Sequence, residues 1–475
     1  MSTVDLPEES SNVRIFRSWF ASNGGYMHPH VHYSQVSSGF NIVAKNAIEK
    51  DTEVISCPFN LIVTPSLARN ALVDVLRLGL DGKDPFAGWT EMQLMSTYIV
   101  IHWMDYEGGK LPSNLQHLPY LDTLPEPSKL LTPLHFTPPE RVHFRGSNIF
   151  GATTDRENAW MKQHRQCQAL VSSANTSWGA EFTWQKYLTA MTYISSRAFP
   201  STLLDSFPSL VATSESYPIL LPGVDALNHA RATPVSWITT HSKSGSSTDE
   251  EVGRSKISLV LHDATPAHAE LLNNYGPKPN AELILGYGFT LENNPDDTIV
   301  LKLGGATSAG APERKQWEVG RGAKGFEPLW EYVLNDMRRR RKEEDEEEGM
   351  EVDDDEETAA IGEVQDVLQA AMQLDGMVEL LVDKLPSTST AEQSVGLGII
   401  RSEVARMLCH YIEGATIVLL FFTAYDADRW HVLFFAGQRD ILESIRGFAM
   451  EKHENIIRWA KERGLPIVEE EDEAD

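Results

Sequence analysis

The chain has 475 residues, of which 41% are hydrophobic and 23% are charged, and its formal net charge is −27. This composition is typical of a soluble protein of two or three domains, and the negative charge disfavours direct binding to nucleic acid. The three cysteines lie far apart, which excludes a disulfide framework and a paired metal site. Because the chain shows neither a secretory signal nor an apolar run of about 18 residues, we expect a cytoplasmic or nuclear protein that does not span a membrane.

The first 200 residues change from a small β unit to a long helical region. Residues 12–22 have helical spacing, and residues 40–43 and 54–58 predict short strands. From residue 66 to residue 195 the apolar residues recur at three- and four-residue steps, which predicts helices. The connector 111–139 interrupts them, and its many prolines predict neither helix nor central strand.

Strand character returns in the middle of the chain and gives way to helices again. The predicted strands are 219–221, 235–238, 257–262 and 298–303. We expect the Ser-, Gly- and acid-rich loop 242–251 to have no fixed conformation. After residue 311 the pattern predicts helices to the end, broken by the acidic run 343–357. The sequence therefore predicts an α+β protein with a split β domain, a helical insertion and a helical C-terminal domain.

One segment, residues 415–436 (ATIVLLFFTAYDADRWHVLFFA), differs from its helical surroundings because it is β-branched and aromatic. Its removal restores a continuous helical phase, so one hypothesis is that it is translated non-coding sequence. The alternative is an ordinary buried hairpin or helix insertion. Sequencing the spliced message distinguishes the two, since an in-frame transcript that contains the segment contradicts the first.

Two polar stretches on tight turns are the best candidates for a functional site. Tyr275–Gly276 and Tyr287–Gly288 stand twelve residues apart, and glycine allows a close approach of the backbone to a ligand. Upstream, Asn228 and His229 follow an apolar run. Read singly, these residues also have purely structural interpretations. Asn228 and His229 could cap a turn, and the Tyr-Gly pairs could pack at strand ends.

Taken together and in this order, the motifs resemble those of SET-domain protein-lysine methyltransferases. The branch is that of the Rubisco large-subunit methyltransferase and the fungal ribosomal-protein lysine methyltransferases. The matching stretches are residues 118–125, 144–148, 196–199, 225–229, 274–276 and 287–289.

This resemblance implies a β-rich SET domain with a pseudoknot and a helical insertion, followed by an all-helical substrate-binding domain. It also implies S-adenosylmethionine as the methyl donor. The expected boundaries are 12–305 for the SET domain with its insertion at about 66–195, 312–465 for the helical domain with a disordered acidic loop at 342–358, and 466–475 for an acidic tail.

The resemblance also assigns roles to the motif residues. Asn228 and His229 would hold the cofactor, and Arg197 would lie near its carboxylate. Tyr275 and Tyr287 would line a lysine channel, with Tyr275 as the main catalytic tyrosine and an additional cofactor contact.

Phe289 would form a wall of the cofactor pocket or the channel.

A narrow aromatic channel suits the chemistry, because desolvation and a neighbouring sulfonium charge both favour the neutral amine of a lysine. No cysteine cluster follows Tyr287, so we expect no zinc site and no other metal.

The chain departs from the family pattern at three places. The family's Gly-x-Gly near the N-terminus is Gly39, Phe40 and Asn41 here, and these residues are expected to contact the cofactor through the backbone. Where the family often has a third channel tyrosine, this chain offers Trp237 or nothing obvious. The lead into Asn274 also differs, with residues 265–270 reading TPAHAE.

We therefore predict a monomeric protein-lysine N-methyltransferase that acts on a non-histone protein, with an accessible lysine of a ribosomal protein as the favoured target. The alternative is a catalytically inactive SET-like scaffold that binds a protein partner through its helical C-terminal domain. A histidine acceptor is a further option, since related SET proteins methylate actin on histidine.

Overall fold

The structure is a computed structural model that describes residues 6–36, 39–79, 82, 84–241, 255–303, 315–347, 356–414 and 437–466. The loop 242–251 and the unusual segment 415–436 lie outside these residues, so the predictions made for them stay predictions. The chain forms two compact units. Unit 1 comprises Met1–His135, Thr153–Pro277 and Gly286–Gly288, and unit 2 comprises Phe136–Ala152, Lys278–Leu285 and Phe289–Asp475. Unit 2 thus includes stretches that the sequence analysis assigned to the SET domain.

Unit 1 is built on short strands, several of which lie at or near the positions predicted from the sequence. Its four-stranded sheet has the order β1-β4-β9-β8, with antiparallel neighbours throughout. Three two-stranded pairs accompany it: the antiparallel pairs β2-β3 and β5-β6, and the parallel pair β7-β10. The strands are β1 (Tyr26–Met27), β2 (Val31–Val36), β3 (Gly39–Ala44), β4 (Thr52–Pro58), β5 (Phe199–Pro200), β6 (Pro218–Ile219), β7 (Asn228–His229), β8 (Val235–Thr240), β9 (Lys256–Leu261) and β10 (Leu272–Asn273).

The helices of unit 1 begin where the sequence places N-caps. The hydroxyl of Thr183 accepts a hydrogen bond from the backbone of Lys186, and Thr90 forms a capping box with Gln93. Their apolar faces join a core that includes the buried Phe16 and Ile55. The helices are α1 (Ser11–Ser22), α2 (Pro65–Val75), α3 (Glu91–Ile101), α4 (Leu118–Leu121), α5 (Pro138–Val142, in unit 2), α6 (Asn148–Ala174, in unit 1 from Thr153), α7 (Thr176–Glu181) and α8 (Trp184–Arg197).

The proline-rich connector corrects one prediction. It contains α4, the start of α5 and the 3-10 turns Pro127–Lys129 and Pro133–His135, although its prolines had predicted no helix. The prolines stand in the first turns, where the missing N–H has no helical partner to lose and the fixed φ suits the helix.

Unit 2 is mostly helical but opens its C-terminal part with a strand pair. β11 (Thr298–Leu303) pairs antiparallel with β12 (Lys315–Gly320), so the prediction of helices alone after residue 311 was wrong for β12. Phe326, Trp330 and Ile441 lie in its core. The helices are α9 (Glu327–Glu347), α10 (Glu356–Lys384), α11 (Thr388–Gly396), α12 (Ser402–Glu413) and α13 (Gln438–Arg463).

Both ends of the range 342–358, predicted as a disordered acidic loop, are helical. α9 continues through residue 347 and α10 begins at residue 356, and the residues between them, 348–355, lie outside the described part. Arginines of α9 pair with acids of both helices, for example Arg338 with Glu363 at 2.6 Å, which offsets the repulsion within the acidic run. No helix in the described ranges has the length and apolar composition that crossing a bilayer requires.

Candidate active site

Three aromatic rings of unit 1 stack in a column. The ring of Tyr275 lies 5.0 Å from that of His229 at 21° and 5.3 Å from that of Tyr287 at 27°. The parallel pairing of β7 with β10 sets Asn273 opposite His229, which brings the turn after β10 over the His229 ring. Residues that the sequence places 46 and 12 positions apart thus form one stacked group.

Hydrogen bonds fix the middle ring of this column. The backbone N–H of Tyr275 donates to Nδ1 of His229 at 3.1 Å, so the neutral imidazole carries its proton on Nε2. The Tyr275 hydroxyl donates to the backbone carbonyl of Leu227 at 2.9 Å. Burial raises the pKa of the Tyr275 phenol well above its ordinary range, and Arg197 opposes that shift only in part. The phenol therefore stays protonated and keeps lone pairs that can accept a hydrogen bond.

Tyr287 owes its position to an unusual backbone. It ends the π-helical turn Leu283–Tyr287, and π-turns are rare and frequent at functional sites. Gly288 follows with a φ of +80°, and a Cβ at this position would come within 2.7 Å of the backbone of Leu131. Only glycine satisfies both conditions, so the Tyr-Gly motif at this position is a requirement of close packing.

Arg197 lies beside a buried carboxylate that the sequence analysis did not assign a role. Its Nη1 donates to the backbone carbonyl of Asp225 at 2.9 Å and lies 3.5 Å from the Asp225 carboxylate. The Tyr120 hydroxyl donates to the same carboxylate at 2.6 Å. Burial raises the pKa of Asp225, with Arg197 and Tyr120 opposing the shift. Among the described residues, Nε and Nη2 of Arg197 have no hydrogen-bond acceptor.

Asn41, which stands where the family pattern has its second glycine, contacts the side chain of Asn228. Nδ2 of Asn228 donates to Oδ1 of Asn41 at 3.1 Å and to Oε1 of Glu270 at 2.7 Å. Both bonds use the amide nitrogen, so Oδ1 of Asn228 remains an acceptor. Gly39 has a φ of +136°, and a Cβ there would approach Pro125 to 3.2 Å, so the first glycine of the family pattern is required here.

A small cavity lies between the pair β2-β3 and Arg197. It has a volume of about 20 Å³, room for about one water, and Phe40, Arg197 and Asp225 are among its lining residues. Tyr33 also lines it, and its buried hydroxyl has no hydrogen-bond partner within the described part of the chain.

The structure thus brings most of the predicted site residues together in unit 1. The residues that sequence reasoning missed are Tyr33, Tyr120, Asp225 and Glu270, although Tyr120 and Asp225 belong to motifs that carried the resemblance. The indole Nε1 of Trp237, at the place of the expected third tyrosine, is buried and has no partner among the described residues. Phe289 belongs to unit 2, where its N–H donates to Leu283 at 3.5 Å, and its assigned role stays a prediction.

These groups fit the donors and acceptors of an amino-acid cofactor. The unpartnered N–H groups of Arg197 suit a carboxylate, and Oδ1 of Asn228 suits an ammonium group. The orphaned Tyr33 hydroxyl adds one more buried polar atom next to the arginine. The arrangement can therefore hold a zwitterion beside a column of aromatic rings.

Comparison with solved structures identifies the fold as that of the SET-domain methyltransferases of the Rubisco LSMT type. The SET domain of LSMT bound to lysine and AdoHcy superposes with a TM-score of 0.63 over 98% of both chains, at 15% identity. The structure of Rubisco LSMT bound to AdoMet gives a TM-score of 0.61 over 96% of this chain and 97% of that chain, at 15% identity. This likeness confirms the SET-domain fold that the motifs predicted.

Similar sequences carry related names. The chain is 29% identical over 287 residues to ribosomal lysine N-methyltransferase set10 of Schizosaccharomyces pombe, an alignment that spans 59% of this chain and 46% of that protein. It is 30% identical over 216 residues to ribosomal lysine N-methyltransferase 1 of Saccharomyces cerevisiae, spanning 39% and 34% of the two chains. No protein-family model matches the chain. The resemblance read from the motifs is thus confirmed, while the chain matches about half or less of each relative's length.

Proposed function

We propose that the protein is an S-adenosylmethionine-dependent protein-lysine N-methyltransferase that acts on a non-histone protein, with a ribosomal protein as the favoured substrate. The stacked column of His229, Tyr275 and Tyr287 carries this proposal. The names of the two fungal relatives support the substrate class.

The residues of this chain would bind the cofactor at one end of the column. Arg197 would hold the carboxylate with its unpartnered N–H groups, and Oδ1 of Asn228 would accept from the ammonium group. Bound there, S-adenosylmethionine supplies an electrophilic methyl group.

The tyrosines would prepare the acceptor amine. A lysine amine beside the stacked rings of Tyr275 and Tyr287 would lose part of its contact with water, and desolvation disfavours the ammonium form of a lysine. Because the Tyr275 hydroxyl already donates to Leu227, its remaining lone pairs can accept a hydrogen bond from the amine and orient it. Alignment of this kind accounts for large rate effects, and no side chain has to act as a strong base.

Calorimetric titration of the full chain with S-adenosylmethionine tests the cofactor site. Saturable binding is expected for the enzyme, and the scaffold alternative predicts none. A radiolabelled cofactor added with a fungal ribosome fraction then tests the substrate class, with purified histones as the comparison. Label on histones but not on ribosomal proteins would contradict the proposed substrate.

The Tyr275→Phe variant tests the catalytic assignment. It removes one hydroxyl from the column, so methyl transfer should fall about 100-fold through lost alignment while cofactor affinity changes less than about twofold. Tyr217→Phe, which alters an exposed tyrosine of the same unit, is the matched control. Wild-type turnover by Tyr275→Phe would refute the assignment.

A further inference from the structure

A second cavity in unit 1 is much larger than the one beside Arg197. Its volume is about 380 Å³, at the small end of the range of ligand pockets. We call it the acidic–aromatic cavity, and its lining includes Trp103, Asp122, Leu124, Glu126, Lys186 and Tyr193. Leu124 also lines the small cavity beside Arg197, so the two spaces share a wall.

The cavity carries negative charge that the protein does not neutralise. Within the described part of the chain, the carboxylates of Asp122 and Glu126 have neither a hydrogen-bond donor nor an ion-pair partner. The cation in the lining is engaged elsewhere, because Nζ of Lys186 donates to the backbone carbonyl of Trp103 at 3.0 Å and lies 3.9 Å from Glu181. Asp122 is exposed at the mouth of the cavity, and its partial desolvation raises the pKa of the carboxyl, as expected without a compensating cation.

Aromatic surface lies next to these carboxylates. The rings of Trp103 and Tyr193 meet edge to face with centroids 6.2 Å apart. The Tyr193 hydroxyl donates to the backbone carbonyl of Pro125, which holds this ring in place. Asp122 and Glu126 both act on the pKa of the Tyr193 phenol, so the two carboxylates lie close to that ring.

Carboxylates beside aromatic rings select one kind of ligand. A guanidinium group stacks on aromatic rings and donates to carboxylates in a planar fork, whereas an ammonium group is a compact point charge. The chain carries a net charge of −27, so a basic protein is its complementary partner.

We propose that the acidic–aromatic cavity binds an arginine side chain of the protein substrate, at a position other than the methylated residue. This proposal rests on the proposed function, since it assigns the cavity to substrate recognition by that enzyme. The arginine would fix the substrate on unit 1 before the target residue reaches the aromatic column.

The first experiment measures binding without methyl transfer. The probe is an acetylated, amidated tetra-arginine peptide, which contains no lysine, titrated into the full chain by calorimetry. In the double variant Asp122→Asn/Glu126→Gln we expect binding about tenfold weaker, because two partly exposed charge contacts are lost. The double variant Asp205→Asn/Glu215→Gln removes the same charge from exposed positions of unit 1 outside the cavity and should bind within about twofold of the wild type.

Equal weakening in both double variants would mean attraction by net charge alone and would overturn the proposal, as would unchanged binding in the cavity variant. Circular dichroism and the melting temperature verify that each variant is folded.

The second experiment separates this proposal from the proposed function. With a methylated substrate in hand, the cavity variant should raise KM about tenfold and leave kcat unchanged. Selective peptide binding without any methyl transfer would overturn the proposed function but not the cavity. Methyl transfer with an unchanged KM in the cavity variant would overturn the role of the cavity in substrate recognition.

Discussion

Each unit contains a buried carboxylate beside an arginine, but the pKa values of the two carboxyl groups shift in opposite directions. In unit 2, burial would raise the pKa of Glu140, but hydrogen bonds from Arg401 and from the backbone of Thr137 lower it to about 2. Nε and Nη2 of Arg401 each lie 2.8 Å from a carboxylate oxygen of Glu140. In unit 1, the carboxylate of Asp225 accepts a hydrogen bond from Tyr120 and lies 3.5 Å from Nη1 of Arg197, but burial outweighs these contacts and its pKa is raised.

The difference predicts a separate role for each arginine. The bidentate pair of Glu140 and Arg401 satisfies its carboxylate and fixes the chain. Arg197 leaves N–H groups without an acceptor among the described residues, at the cost of an incompletely stabilised Asp225. We therefore expect changes at Glu140 to alter stability and changes at Arg197 to alter ligand binding.

The largest effect should follow from Glu140→Gln. It neutralises the buried carboxylate that accepts hydrogen bonds from Nε and Nη2 of Arg401, so the free energy of unfolding should fall by about 3–5 kcal/mol in denaturant titrations. Glu363→Gln breaks the half-exposed pair with Arg338 and serves as the control, with an expected loss of no more than about 1 kcal/mol. An equal loss of unfolding free energy in the two variants would contradict the special contribution assigned to the pair of Glu140 and Arg401.

The pH dependence should have opposite signs at the two carboxylates. Since the folded pKa of Glu140 is lowered to about 2, its stabilisation, on the order of 3 kcal/mol, is present above pH 4.5 and is lost as pH falls towards 2. Since the folded pKa of Asp225 is raised, its ionisation costs stability as pH rises above 3.8. Unfolding titrations between pH 3 and 7 should therefore show two trends. The free energy of unfolding of Glu140→Gln approaches that of the wild type at low pH. That of Asp225→Asn rises relative to the wild type at high pH.

Arg197→Lys should act mainly on the ligand. A lysine keeps the charge but loses the planar fork, so affinity for S-adenosylmethionine should fall about tenfold in calorimetry. Arg14→Lys, at an exposed arginine of unit 1, should leave the affinity unchanged. An unchanged affinity in Arg197→Lys, or a loss of stability as large as that of Glu140→Gln, would assign Arg197 to structure instead.

The smallest effect concerns Asn41. Asn41→Gly restores the family's glycine but removes the acceptor that orients the Asn228 amide, so cofactor affinity should fall about two- to fivefold. Glu270→Gln, which retains an oxygen acceptor for Asn228, should have a smaller effect. Tighter binding by Asn41→Gly would show that the asparagine weakens the pocket.

The sequence predicted the parts of the fold that have long periodic patterns. The strands β9 and β11 lie close to their expected positions, and α8 ends near the expected end of the helical region, because their apolar patterns extend over six or more residues. The strands β7 and β10 have two residues each and are too short to show a periodic apolar pattern. The parallel pairing that positions His229 and Tyr275 could therefore not be predicted from the local sequence. Tyr120 and Glu270 were missed for a similar reason, since each reaches its partner across 105 or 42 positions of sequence.

The bond between Asn41 and Asn228 joins residues 187 positions apart. A ribosome that adds about 5–20 residues per second needs roughly 10–40 s to make the intervening chain. The pair β2-β3 is therefore synthesised long before Asn228, its hydrogen-bond partner. The stack of Tyr275 on Tyr287 forms later still. A nascent chain released before residue 287 would lack the complete column, so ligand binding should report whether translation has passed that point.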